Sequence, residues 1–323
     1  MNHQKLFDTL EQVVSDPSLS EYDKLVAQRN LARLRETKVN ILVTGATGAG
    51  KSSTINALFN TEVAKVGVGA DPETMHIKKF ELNNIILWDS PGLGDSPEKD
   101  RIHAKGIMNK LLEKDHDGNL LIDLVLVILE GATRDLGTSY ELITRVIIPN
   151  LGEDKKRLLI AINQADVAMK GRGWDYEKNE PRPELVKFLD AKVESTRKRI
   201  KEATGVDVEP IYYSAGYKEG NEEQKPYNLS KLLSFLLRST KKEKRVVFGS
   251  DINNKREVWE KDDELEDYQE NIKQSFIESA LEAIGRGLGK AIEAIVSPVT
   301  NAINTATSFI SSSFRTVAGW FGF

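Results

Sequence analysis

Apolar residues along the chain follow two rhythms. Over residues 3–36 they recur at helical spacing. Leu6, Leu10 and Val13 make one stripe and, after the break "SDPSLS", Leu25, Val26 and Leu34 make another. From residue 38 they bunch instead into short runs rich in Ile, Leu and Val: "KVNILVT" (38–44), "NNIILWDS" (83–90), "LIDLVLVILE" (121–130), "RLLIAIN" (157–163) and "EPIYYSA" (209–215). "HIKKFEL" (76–82) alternates, as an edge strand beside 84–89 would. Charged, helix-like segments separate the runs. Apolar strands alternating with helices predict an α/β fold with a mostly parallel sheet and helices on both faces, over about 38–240.

Beyond "STKKEKR" (239–245) the strand rhythm stops. An acidic stretch leads into "SFIESALEAIGRGLGKAIEAIVSP", where Ile277, Leu281, Ile284, Leu288, Ile292 and Ile295 predict one helix. Pro298 is expected to break or kink it, and a closing helix is expected over "TNAINTATSFISSSFRTVAGWFGF". The expected organisation is therefore an N-terminal helical segment (1–37), an α/β domain (38–240) and a C-terminal helical region (241–323). The two terminal segments together form an α-helical part.

Composition narrows the function classes. A net charge of −4 gives no global attraction to nucleic acid, so any polyanion site must be local. With no cysteine, disulfide scaffolds, Cys-ligated zinc and thiol catalysis are excluded. The opening "MNHQKLFDTLEQVV" lacks a signal-type apolar core, and no spanning apolar run is present, which predicts a cytoplasmic protein.

The chemistry lies at the strand ends. "GATGAGKSS" fits G-x-x-x-x-G-K-[ST] as Gly45, Gly50, Lys51 and Ser52, between a predicted strand and a predicted helix. Glycines there let backbone N–H groups wrap phosphate oxygens, and the helix N-terminus adds its positive end. Gly45, Gly48, Ala49, Gly50, Lys51, Ser52 and Ser53 are the candidate phosphate-binding residues. Lys51 would reach the outer phosphates and the Ser52 hydroxyl would ligate Mg²⁺. In "WDSPG", Asp89 at a strand end would hold the same ion, usually through water, and the Gly92 N–H would sense a γ-phosphate. "AINQAD" supplies Asn163, Gln164 and Asp166. A carboxylate at a purine edge accepts from N1–H and the 2-amino group of guanine, which adenine does not offer, so Asp166 argues for GTP over ATP. "YYSAG" adds Ser214 and Ala215, whose N–H would meet guanine O6.

In this order and at these positions, the motifs resemble the GTPase signature of translation-factor-class G proteins over about 40–217. The pattern "GATGAGKSS…DSPGLGDS…NQAD…SAG" is most similar to the Era-like branch and its prophage-borne bacterial relatives of the YfjP type. Gly48 also resembles the phosphate loop of immunity-related GTPases. The resemblance implies a P-loop G domain that hydrolyses GTP to GDP and phosphate with Mg²⁺ and acts as a switch. It also implies activation by dimerisation across the nucleotide face or by a partner, and a switch threonine closing over Mg²⁺. Thr74, in "GADPETMH", matches that threonine, with Thr61 as competitor. Lys51, Thr74 and Gly92 are then the candidate catalytic residues, and Ser52, Thr74 and Asp89 the candidate metal ligands.

Three positions depart from the family. Gln164 replaces the lysine of N-K-x-D. Leu93 stands where Ras-like proteins carry a water-orienting glutamine, and leucine cannot hydrogen-bond water. Gly48 replaces the asparagine that supports a potassium ion in some Era-like proteins. Arg134, Arg101 and Glu73 are candidates for the missing hydrolytic device, each competing with a role as a solvated surface charge. His76 and His103 read as ordinary surface or strand residues.

The expected partners are GTP or GDP and a second copy of the chain. Ile303, Ile310, Phe314, Val317 and Phe321 share a helical stripe, with Trp320 and Phe323 adding bulk. Segment 299–323 is expected to fold back onto the protein; the alternative is peripheral contact with a membrane surface. A nucleic-acid partner ranks lower, since "RKRIK" and "KKEKR" are short and no RNA-binding module is recognisable.

Overall fold

A computed structural model describes residues 3–61, 65–68, 77–94, 96–133, 136–219 and 222–310. Helices α1 (His3–Val14) and α2 (Glu21–Glu36) precede strand β1 (Val39–Gly45) and helix α3 (Lys51–Leu58). Strands β2 (Lys65–Val68), β3 (Lys78–Glu81) and β4 (Ile85–Asp89) lead to α4 (Pro97–Leu112) and β5 (Leu124–Glu130). A helical segment then runs through α5 (Gly137–Glu141), a π-helical turn Leu142–Ile147 and α6 (Ile148–Asn150) to β6 (Leu158–Asn163). A short hairpin, β7 (Trp174–Asp175) and β8 (Glu180–Pro181), precedes α7 (Pro183–Thr204) and β9 (Ile211–Tyr212). A second hairpin, β10 (Tyr217–Glu219) and β11 (Glu222–Gln224), precedes α8 (Leu229–Ser239). The chain continues through the 3₁₀ segment Lys242–Ser250 to α9 (Tyr268–Gly285) and α10 (Ile292–Ala306).

The main sheet has seven strands in the order β2-β3-β4-β1-β5-β6-β9. β4, β1, β5, β6 and β9 are parallel; β3 and β2 are antiparallel to their neighbours. Period-two alternation sends Ile41, Val43, Leu126 and Ile128 into one apolar cluster and Leu42, Val125, Val127 and Leu129 into another. The second cluster is closed by α4, the 136–151 segment and α7. The first is closed by α3 and α8 and runs on without interruption into α1, α2, Val246–Phe248, α9 and α10.

The parallel α/β fold with helices on both faces is as expected, and four differences have physical causes. First, 78–81 is not the edge: the short strand β2 lies outside it. Second, Leu25 is 66% exposed, while Ala27 and Leu31 join Val26 and Leu34 in the core. Third, the 277–295 stripe belongs to two helices, not one. The chain turns at Gly285–Gly289, where a Cβ on Gly285 would lie 2.4 Å from Ile292 Cδ1 and Gly289 has φ +55°. The turn keeps Ile284, Leu288 and Ile295 in one core, and the Asn30 amide donates to the carbonyls of Ile284 and Arg286 at 3.0 and 2.7 Å. Fourth, Pro298 sits inside α10, which runs to Ala306, so the expected helix boundary there is absent. Ile303 and Ile310 are buried in the core; Phe314, Val317, Trp320, Phe321 and Phe323 lie outside the described residues.

The C-terminal region reaches back to the sheet. Asp251 accepts from Asn83 N (3.0 Å), Asn83 Nδ2 (2.8 Å), Asn84 N (2.6 Å) and Ile85 N (2.8 Å), holding the β3–β4 turn. Lys244 Nζ bonds Asp123 (2.7 Å) and the Lys38 carbonyl (3.1 Å) beside the starts of β5 and β1. No described helix is long and apolar enough to cross a membrane.

Candidate nucleotide-binding site

The phosphate side is built where β1 ends. Gly45 has φ +150°, and a Cβ there would lie 2.2 Å from the Ile128 carbonyl oxygen of β5. Gly48 and Gly50 have φ +84° and +85°, the left-handed region that favours glycine. A Cβ on Gly50 would lie 2.2 Å from Asn163 Nδ2. The loop therefore closes against β5 and the end of β6 and delivers the chain into α3, whose first residue is Lys51, followed by exposed Ser52 and Ser53. Thr54 turns inward, and its hydroxyl lies 2.6 Å from that of the buried Tyr213.

Lys51 folds over the loop, its Nζ donating to the carbonyls of Gly45 and Ala46, both at 3.1 Å. Burial pulls its pKa down, opposed by the charge of Asp89. Asp89 at the end of β4 is the mirror case. Burial pushes its carboxyl up, opposed by Lys51 and Lys78, and its buried Oδ1 has no hydrogen-bond partner among the described residues. A buried, unpaired carboxylate oxygen facing an ammonium beside a helix N-terminus suits a hydrated divalent cation. Asp89 and Ser52 thus fit Mg²⁺.

After β4 the chain stacks on the phosphate loop. Thr47 N donates to the Leu93 carbonyl (3.0 Å), and Leu93 N approaches the Gly45 carbonyl at 3.4 Å. Gly92 is required by this approach, since a Cβ would lie 2.3 Å from Thr47 Oγ1 and 2.6 Å from its Cα. The Leu93 side chain is buried in the α4-side core, 3% exposed. It is a packing residue.

The base side is built where β6 and β9 end. Asn163 Nδ2 donates to the Ala49 carbonyl (3.0 Å), and its Oδ1 accepts from Ala215 N (3.0 Å). One side chain thus joins the phosphate loop to the "SAG" loop. Gln164, at φ +62°, donates from Nε2 to the Gly48 carbonyl at 2.9 Å. Asp166, 4% exposed, accepts from Ser214 Oγ at 2.7 Å. The Ala215 N–H expected at guanine O6 here points at Asn163 instead.

Residues 40–164 match the family described as the 50S ribosome-binding GTPase. This segment is a P-loop GTPase G domain. The matched family consists of GTPases, enzymes that hydrolyse GTP. The chain is 31% identical to interferon-gamma-inducible GTPase 10 of Mus musculus over 36% of its own length and 28% of that protein's. It is 27% identical to YfjP of Escherichia coli (strain K12) over 57% of its length and 61% of that protein's. The chain therefore spans less than two thirds of either relative. The G domain of the T. maritima FeoB iron transporter aligns with 62% of this chain and 98% of that one at 19% identity and a TM-score of 0.33.

The fold thus brings together Gly45, Gly48, Ala49, Gly50, Lys51, Asp89, Gly92, Asn163, Gln164, Asp166, Ser214 and Ala215. Thr74, Glu73, Arg134 and His76 lie outside the described residues. Thr61 lies beyond the end of α3, its hydroxyl on Asn56 Oδ1 at 2.8 Å; Arg101 is exposed on α4. Two contributors are not among the candidate site residues. Tyr213 bonds Thr54 across the site. Lys192 on α7 gathers the carbonyls of Glu130, Gly131 and Thr133 at 3.0, 2.7 and 2.6 Å, fixing the loop after β5. Gly131 packs on the end of β6, where a Cβ would lie 2.6 Å from the Asn163 carbonyl oxygen.

Proposed function

We propose that the chain binds GTP with Mg²⁺ and hydrolyses it to GDP and phosphate as a nucleotide-dependent switch, activated by dimerisation across the nucleotide face or by a partner. The observation that carries this reading is Asn163, bonded at once to the phosphate loop and the base loop, with Asp166 buried and oriented beside it. An N1–H and 2-amino edge pairs with that carboxylate; an adenine edge leaves it unpaired and costs affinity. Lys51 would leave the carbonyls of Gly45 and Ala46 for phosphate oxygens, with Ser52 and Asp89 on the cation side. Bound Mg²⁺ would supply charge neutralisation of the phosphates.

Burial of Leu93 supports a hydrolytic group elsewhere in the chain or in a partner, and with it the proposed dimer or partner requirement. Thr74 is proposed as the switch threonine over Mg²⁺. Segment 38–240 is proposed as the nucleotide unit, flanked by 1–37 and 241–323, with the Era-like branch as its place in the superfamily. A cytoplasmic location is proposed. Peripheral membrane contact through 299–323 is the second reading, and burial of Ile303 and Ile310 weighs against it.

Turnover of GTP, measured against protein concentration, tests the reading. Specific activity should rise with concentration, and ATP should not compete. A concentration-independent rate would remove self-activation, and equal binding of ATP would remove guanine recognition.

A further inference from the structure

The base loops carry two inserts, one behind each guanine motif. The first is the β7–β8 hairpin, which follows Asp166; the second is the β10–β11 hairpin, which follows Ala215. At the tip of the first sits Asn179, half-buried and at φ +55°, a left-handed conformation that asparagine tolerates better than most residues. Its amide Nδ2 donates to the carbonyls of Lys225 (3.2 Å) and Pro226 (3.0 Å), and its Oδ1 accepts from Gln224 Nε2. One side chain therefore uses donor and acceptor together to bind the first insert to the end of the second.

The residue after that contact is Tyr227, which pairs with Ser214 in both directions: Ser214 N to the Tyr227 carbonyl at 3.0 Å and Tyr227 N to the Ser214 carbonyl at 2.9 Å. Ser214 in turn donates its hydroxyl to Asp166. The hairpin braces the same point from below, where the buried rings of Trp174 and Tyr227 meet edge-on at 5.4 Å. The second insert has no slack at its root, since a Cβ on Gly216 would lie 2.3 Å from the Gln224 carbonyl oxygen. A continuous set of bonds thus runs from Asn179 through 224–227 and Ser214 to the carboxylate proposed to read the base.

We propose that Asn179 is a positioning residue for base recognition: it locks the two inserts together so that Ser214 holds Asp166 at the angle required by both the N1–H and the 2-amino group of guanine. This rests on the reading of Asp166 as the guanine contact. Without the lock, 225–227 shifts, the carboxylate loses its fixed angle, and its discrimination declines before its charge does. The phosphate half of the site shares none of these bonds and stays as it is.

The test compares dissociation constants for GDP, IDP and ADP in the full chain and in its Asn179→Asp and Asn179→Gly variants. IDP keeps N1–H and lacks the 2-amino group. Both variants accept the left-handed backbone, and both remove the amide donor. GDP binding should weaken about tenfold, the scale of a loosened hydrogen bond to a charged group, and the preference for GDP over IDP should collapse toward unity. Affinity for inorganic tripolyphosphate with Mg²⁺ should hold. A GDP-to-IDP ratio equal to that of the unaltered chain would overturn the proposal, as would a parallel loss of GDP, IDP and tripolyphosphate binding. If the unaltered chain itself fails to prefer GDP over ADP, the guanine reading of Asp166 falls first, and the lock with it.

Discussion

The two halves of the site satisfy their polar groups differently. On the base side, Asn163, Gln164, Asp166, Ser214 and Ala215 all bond to other parts of the protein. On the phosphate side, Asp89 buries an oxygen that has no partner among the described residues, and Lys51 leans on two loop carbonyls, with both charges disfavoured by burial. The base half is organised before the ligand arrives. The phosphate half holds unfavourable charge that a phosphate and its cation would relieve, so affinity and specificity arise in different places.

The comparison is easiest to break at Lys51. Lys51→Ala should weaken GTP binding by about a hundredfold or more, as loss of a charged hydrogen-bond donor implies, when followed by calorimetry. A loss below about threefold would mean that the phosphates do not use it. Asp166→Asn should cost about thirtyfold in GTP affinity while ATP binding hardly changes, which competition assays would read.

Asp89→Asn should separate the halves in a different measurement. It should raise the thermal midpoint of the nucleotide-free protein by about 2 °C, the equivalent of roughly 1 kcal/mol, and abolish the gain in nucleotide affinity from Mg²⁺. The sign follows from the upward shift of the Asp89 carboxyl. Its ionised form is penalised in the folded state, the penalty is complete above the raised pKa, and it fades as pH falls toward the ordinary 3.8. The advantage of the variant should therefore be largest at neutral pH and shrink on acidification; a constant advantage would mean the carboxyl is not the cause. The smallest effect belongs to Gln164→Ala, about two- to threefold in GDP affinity, because its bond to Gly48 is exposed.

Much of this was legible in the chain. β1, β4, β5 and β6 are covered on both faces, so their residues are mostly apolar, and Gly45, Asp89 and Asn163 end β1, β4 and β6. β2 was hidden because "KVGV" is four residues long and mixes lysine and glycine with valine. The α9–α10 turn was hidden because the apolar spacing continues on both sides of Gly285–Gly289, and periodicity does not distinguish a helix from two helices packed on each other. Pro298 misled in the opposite direction. Lys192 and Asn179 have no local signature, and the role of Tyr213 within "YYSAG" is not local: each acts through groups that only the completed fold brings near. Asn163 and Asp166 were legible as candidate recognition residues, whereas the role of Asn163 in joining two loops was not.

Asp251 has a consequence for heredity. The three main-chain N–H groups at the β3–β4 turn have their acceptor in a residue that lies 166 to 168 positions further along the chain. A gene rearrangement that cut after residue 240 would keep every nucleotide motif yet strip that turn of its acceptor and bare the core that α9 and α10 cover. The flanking segments are thus not freely exchangeable cargo. A new tail would have to supply another acceptor for those N–H groups and cover the bared apolar core, so exchanging the C-terminal helices should cost stability although no nucleotide motif is touched.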